Sequence, residues 1–128
     1  MASVDTNVLL RLVLDDDAAQ VRRAESFLKR EGPLWISNVV LVETCWVLLT
    51  GYKWPKSDVI SALRSLQDSA DFIFQASQAV RSAIDFYETT KADFADCLAL
   101  EVARAEGQLP LGTFDRAASK LPGTTVLY

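Results

Sequence analysis

An α/β architecture of three layers, a central and mostly parallel sheet flanked by helices, is predicted for this 128-residue chain. Three observations carry that prediction. Short runs rich in β-formers alternate with segments of helical periodicity along the whole length, which is the pattern of strands joined by helical crossovers. No internal repeat or linker interrupts the series, so residues 1–128 are expected to form one domain of ordinary size. The first predicted strand ends on an acidic residue, Asp5, at the place where open α/β sheets bind ligands.

The elements follow in order. Residues 1–5 are predicted as a short strand, after which Val8, Leu9, Leu12 and Val13 recur at helical spacing. A second helix is predicted over 18–30, with Val21, Ala24, Phe27 and Leu28 on one face and Gly32-Pro33 as its stop. Residues 34–36 predict a second strand, and Ser37 or Asn38 can cap a helix that reaches Thr50 and ends at Gly51. A helix over 56–68 has Ser57 or Asp58 near its cap and Val59, Ile60, Leu63 and Leu66 as its buried stripe; residues 72–74 then predict a strand. Helical periodicity resumes over 77–89 and 92–106, with Gly107 closing the latter. Strands over 109–113 and 124–128 are separated by a helical turn at 115–120.

Composition narrows the chemistry. Half of the residues are hydrophobic and 23% are charged, which is the balance of a folded protein and not of a disordered one. The apolar run 39–42 is broken by Glu43 well short of the roughly 20 residues a membrane span requires. Asp5, Arg11 and the acidic run 15–17 break up what would be the apolar stretch of a signal peptide, so a cytoplasmic protein without membrane contact is expected. Cys45 and Cys97 lie in apolar helical segments and read as buried thiols. The chain has no histidine, which removes the usual general base and the commonest zinc ligand and leaves carboxylate chemistry. A net charge of −4 disfavours binding of an extended polyanion, unless clustered carboxylates take up cations that reverse the local sign.

Five carboxylates stand out, each with a structural alternative. Asp5 can hold a cation, with Thr6 and Asn7 beside it to position a ligand, or it can cap the helix that follows. Glu43 shares helical positions with Val39, Val40, Trp46 and Val47, which predicts that its face is drawn into the core; a carboxylate there needs a basic partner, a proton or a metal. Asp93 and Asp96 are three residues apart and fall on one face near a helix start, where a cap and a dipole complement would also account for them. Asp115 follows Thr113-Phe114 at the end of a strand and can cap the next turn. The run 15–17 reads as a solvated loop and cap. Trp35 and Trp46 are expected to pack inside, and Trp54, beside Lys53 and Lys56, to be the exposed one.

Taken in order, these segments resemble the PIN-domain family, and within it the VapC-like toxins of bacterial toxin-antitoxin pairs. The resemblance spans nearly the whole chain. It is carried by Val4-Asp5-Thr6-Asn7 before an apolar helix, by Ser37-Asn38-Val39 running on to Glu43 and Trp46, by Asp93-Phe94-Ala95-Asp96, and by Thr113-Phe114-Asp115. Residues 109–112 are poorer in β-branched side chains than the family's strand at that place.

The resemblance implies a PIN-like fold and a metal-dependent endoribonuclease. Asp5, Glu43, Asp96 and Asp115 would be its catalytic metal ligands, with Asp93 an accessory ligand and Thr6, Asn7 and Thr113 in supporting roles. The implied cofactor is Mg2+ or Mn2+, in keeping with an oxygen-only donor set. Implied partners are an RNA substrate, a cognate small antitoxin protein and a second copy of the chain in a homodimer. Two other readings stay open: a non-catalytic PIN-like RNA-binding or partner-binding module, and a phosphatase of the haloacid-dehalogenase type. The latter ordinarily has a second Asp where this chain has Asn7.

Overall fold

The computed structural model describes residues 1–128 and contains six α-helices, four short strands and one 3-10 turn. The chain divides into two compact units, Met1–Gln75 and Ala76–Tyr128.

In the first unit the predicted strand 1–5 is reduced to one parallel bridge between Ser3 and Trp35, with the Trp35 N–H donating to the Ala2 carbonyl at 2.8 Å. The reason is local. Asp5 is already the N-cap of helix α1 (Thr6–Val13), so the extended segment ends before a ladder can grow. Helix α1 buries Thr6, Leu9 and Leu10. Helix α2 (Ala18–Glu31) starts under the Asp17 carboxylate, which accepts from the Gln20 N–H at 3.1 Å. It stops at Gly32, whose φ of +76° is one that side-chain-bearing residues rarely adopt.

Strand β1 (Leu34–Ile36) pairs in parallel with β2 (Phe72–Phe74), in the register Leu34 to Phe72 and Ile36 to Phe74. Alternation puts Leu34 and Ile36 fully inside and leaves Trp35 opposite Ile73, both exposed. Helix α3 (Asn38–Thr50) is capped by the Ser37 hydroxyl, which accepts from the Val40 N–H at 3.2 Å. Its buried stripe is Leu41, Thr44, Cys45 and Leu48, spaced i, i+3, i+4, i+7. Helix α4 (Lys56–Asp68) follows Pro55 and buries the expected stripe of Val59, Ile60, Leu63 and Leu66.

The second unit is built on a helical hairpin. Helix α5 (Ser77–Thr89) buries Val80, Ala83, Ile84 and Tyr87, and helix α6 (Phe94–Ala105) buries Phe94, Cys97, Leu98 and Leu100. The rings of Tyr87 and Phe94 lie 5.8 Å apart and tilted by 59°, a favourable edge-on contact. Strands β3 (Leu111–Thr113) and β4 (Thr124–Val126) pair in parallel across the 3-10 turn Ala118–Lys120. Strand β3 begins two residues later than expected, after Pro110, which has no N–H to offer a ladder.

One buried acid escaped the sequence reading. Glu101 is 6% exposed and pairs with Arg104 one turn on, at 3.3 Å. Arg104 also donates to the Pro122 carbonyl, and Gly123, at φ +98°, passes so near that a Cβ there would stand 3.1 Å from the guanidinium. The mixed α/β class and the parallel pairing both agree with expectation.

Candidate active site

The first unit carries Asp5, Thr6, Asn7 and Glu43. Asp5 sits at the start of α1 with extended backbone, and its Oδ1 accepts from the Val8 N–H at 3.0 Å. One carboxylate oxygen is therefore committed to capping, and the residue remains exposed at a helix N-terminus. Thr6 is buried and Asn7 exposed. Asp5 and Asn7 line a cavity of about 740 Å³ together with Val8, Arg11 and Phe27.

Glu43 corrects an expectation. It lies on the side of α3 opposite the buried stripe, between Val39 and Trp46, which are 76% and 64% exposed. Because α3 is apolar on nearly every side, the hydrophobic positions around Glu43 do not mark the core-facing side. The carboxylate is solvated and needs no buried counter-charge. The tryptophans are corrected with it: Trp46 and Trp35 are exposed, while Trp54 is half-buried.

The acidic run 15–17 is also more than a solvated loop. Asp16 pairs with Arg11 at 2.9 Å and accepts from the Tyr52 hydroxyl at 3.0 Å, while Arg11 donates to that hydroxyl at 3.2 Å. This closed triangle ties α1 to the loop before α2 and the turn after α3.

The second unit brings three of the expected acids within electrostatic reach. Asp96 lies in the first turn of α6, half-buried beside Cys97. Burial raises its pKa above the ordinary carboxylate value, and the charges of Asp115 and Asp93 push in the same direction. A helix N-terminus on its own would stabilise the charged form, so burial and like-charge crowding are the stronger effects here. Asp93 occupies the N-cap position of α6 without making a capping hydrogen bond, which leaves the simple cap explanation unfilled. Buried Ala92 and Phe94 on either side hold it in place.

Asp115 does cap: its Oδ1 accepts from the Ala118 N–H at 2.8 Å. Its own N–H donates to the Thr113 hydroxyl at 3.0 Å, so Thr113 fixes the backbone that presents this acid.

Nowhere in the chain do three or more His, Cys, Asp or Glu side chains form a group arranged to hold a metal ion. The fit to a metal is chemical. The acids offer only hard oxygen donors, and a divalent cation would relieve the repulsion felt by Asp96.

Comparison with known proteins gives two matches and one blank. The family model described as PIN domain matches residues 2–123. A VapC ribonuclease of Aquifex aeolicus (strain VF5) is 29% identical over 130 residues, covering 98% of this chain and 96% of that protein. No solved structure gives a significant match. No helix is long and apolar enough to cross a membrane.

Proposed function

This chain belongs to the PIN domain family, and we propose that it is a Mg2+- or Mn2+-dependent endoribonuclease, the toxin of a VapBC-like toxin-antitoxin pair. The observation that carries the proposal is the half-buried Asp96 in the first turn of α6, with Asp93 and Asp115 near enough for their charges to add to the effect of burial on its pKa, an all-oxygen set whose repulsion a hard divalent cation would relieve. The similar VapC ribonuclease supports the same reading.

In this proposal Asp5, Glu43, Asp96 and Asp115 hold the metal and Asp93 is a further ligand. Asp5 and Asp115 each keep one oxygen beyond the one used in capping. Asn7 orients substrate, a role supported by the cavity it lines with Asp5; Thr6, buried in the first turn of α1, steadies Asp5, and Thr113 steadies Asp115 by accepting its backbone N–H. When bound, a hard divalent cation acidifies attacking water and neutralises charge gathering on the departing oxygen. Residues 1–128 act as one domain, since the family match runs through both units. The partners are RNA, a small cognate antitoxin and a second copy of the chain, and the setting is the cytoplasm.

One observation favours a second reading, a non-catalytic PIN-like module that binds RNA or a partner. Asp5 and Asp115 both perform capping roles that would retain them without any chemistry. Cleavage of RNA by chelator-treated protein, with and without added Mg2+ or Mn2+, separates the two. Restoration by metal supports the nuclease, and binding without cleavage under every metal condition supports the module. Co-purification with the product of the neighbouring gene tests the antitoxin assignment.

A further inference from the structure

The acidic chain carries a net basic helix in α2, where four basic residues stand against Glu25 and Glu31. Arg22, Arg23, Lys29 and Arg30 fall within this one helix of 14 residues. Arg22 and Arg23 are exposed and make no ion pair, and Arg30 has only a 3.5 Å contact with its neighbour Glu31.

Two cavities meet along this helix. The one beside Asp5, about 740 Å³, reaches Arg23 and Phe27; a second, about 660 Å³, is lined by Arg22, Arg23, Ser26, Phe27 and Arg30. Arg23 and Phe27 line both, so the two cavities adjoin as a groove along α2, with Asp5 in the first and Arg30 in the second. Asp5 is the single acidic residue that lines either cavity. The Arg30 guanidinium stands 5.4 Å from the centroid of the Phe27 ring, close enough for a cation-π contact that keeps the charge over the groove.

We infer that this groove binds the backbone of single-stranded RNA, with Arg22, Arg23 and Arg30 on successive phosphates and the strand leading to Asp5. The inference rests on the ribonuclease reading and assigns its substrate track. Charge selects the occupant. A net charge of −4 repels a polyanion over the molecule as a whole, so binding must be local, and unpaired guanidiniums with a planar, many-donor fork suit phosphate oxygens. The guanidinium planes, with Arg30 already stacked on Phe27, also offer flat faces to unstacked bases, which a duplex does not present.

The test is fluorescence anisotropy of a fluorescein-labelled oligouridylate of about ten nucleotides, within the span such grooves accommodate. EDTA is present so that binding is read without turnover. Wild-type protein, the Arg22→Gln/Arg23→Gln variant and the Arg22→Lys/Arg23→Lys variant are titrated across a salt series, with melting curves to establish that each is folded.

The Gln variant is expected to bind on the order of tenfold more weakly at low salt, and its log–log salt slope should fall by about 0.7 for each phosphate that is no longer neutralised. The Lys variant should keep the slope, because it keeps the charge. Unchanged affinity and slope in a folded Gln variant would overturn the inference, as would a Lys variant whose slope falls as far as that of Gln. If the Gln variant keeps RNA but no longer retains the polypeptide encoded next to it, the groove belongs to a protein partner and the inference fails. Failure of the ribonuclease reading looks different: RNA binds with the expected slope, yet no metal produces cleavage.

Discussion

Asp5 is asked to do two things at once, and two substitutions separate them. Its Oδ1 accepts the Val8 N–H at 3.0 Å, so Asp5→Ala removes the cap of an eight-residue helix, while Asp5→Asn keeps an oxygen in the same position. Losing an N-cap oxygen costs about 1 kcal/mol, whereas exchanging Asp for Asn costs a few tenths, with a similar small amount for the lost charge at the helix N-terminus. At roughly 2 cal/mol/K of unfolding entropy per residue, about 1 kcal/mol lowers the melting temperature of a chain this size by about 4 °C.

Chelator-treated Asp5→Ala should therefore melt about 4 °C below wild type and Asp5→Asn within about 2 °C of it. Both should lose RNA cleavage by at least the roughly hundredfold that removal of even an outer-sphere metal partner can cost. Calorimetry and a metal-supplemented cleavage assay read the two effects independently. A folded Asp5→Asn protein that cleaves like wild type would show that the carboxylate serves only as a cap. Equal destabilisation by Asn and Ala would refute the capping argument.

Three further outcomes follow from the geometry. Because the fold raises the pKa of Asp96, the native state holds that proton more tightly than the unfolded chain; the resulting stability is complete below the ordinary value of 3.8 and is lost as pH rises through the raised value. Metal-free Asp96→Asn should accordingly melt above wild type at pH 7, with the gap closing as the pH falls toward 3.8, and a constant gap across that range would contradict the cause. Arg104→Ala should destabilise by about 2 kcal/mol in urea melts, less than for a fully enclosed pair because Arg104 is partly exposed, since it leaves Glu101 buried without its partner. Tyr52→Phe should cost about 1 kcal/mol by breaking the triangle with Arg11 and Asp16, and no measurable change would mean that solvent replaces the hydroxyl.

Much of the fold is legible because most helices declare their ends and faces. Gly32-Pro33 stops α2, Ser37 caps α3, and the stripe of Val59, Ile60, Leu63 and Leu66 places α4. Helix α3 hides its orientation for a physical reason: with Val39, Val40, Val42, Trp46 and Val47 around the buried stripe, apolar character does not choose a side, and Glu43 is expected on the wrong one. The short strands are also hard to bound at their ends, since Asp5 capping and the missing N–H of Pro110 decide where pairing stops.

The candidate site residues stand out in the sequence as a set and not one by one. Asp93, Asp96 and Asp115 each have a bland explanation in sequence, and the charge crowding of Asp96 emerges only once α6 and the end of β3 are placed. The role of Asp16 is hidden because its partner Tyr52 is 36 residues away. Glu101 carries a readable signal in retrospect, a glutamate between Leu100 and Val102 with an arginine three residues on.

If these carboxylates hold a metal that drives RNA hydrolysis, ion binding and turnover must rise and fall together in one preparation. Chelator-treated wild type and Asp96→Asn are titrated with Mg2+ and Mn2+ by calorimetry and assayed on a panel of structured RNAs. Wild type should bind the ion, gain melting temperature through binding to the native state, and recover cleavage on metal addition, while Asp96→Asn should do none of these. Cleavage by wild type that continues undiminished in excess EDTA, or that Asp96→Asn retains in full, would show that no metal held at Asp96 drives the hydrolysis.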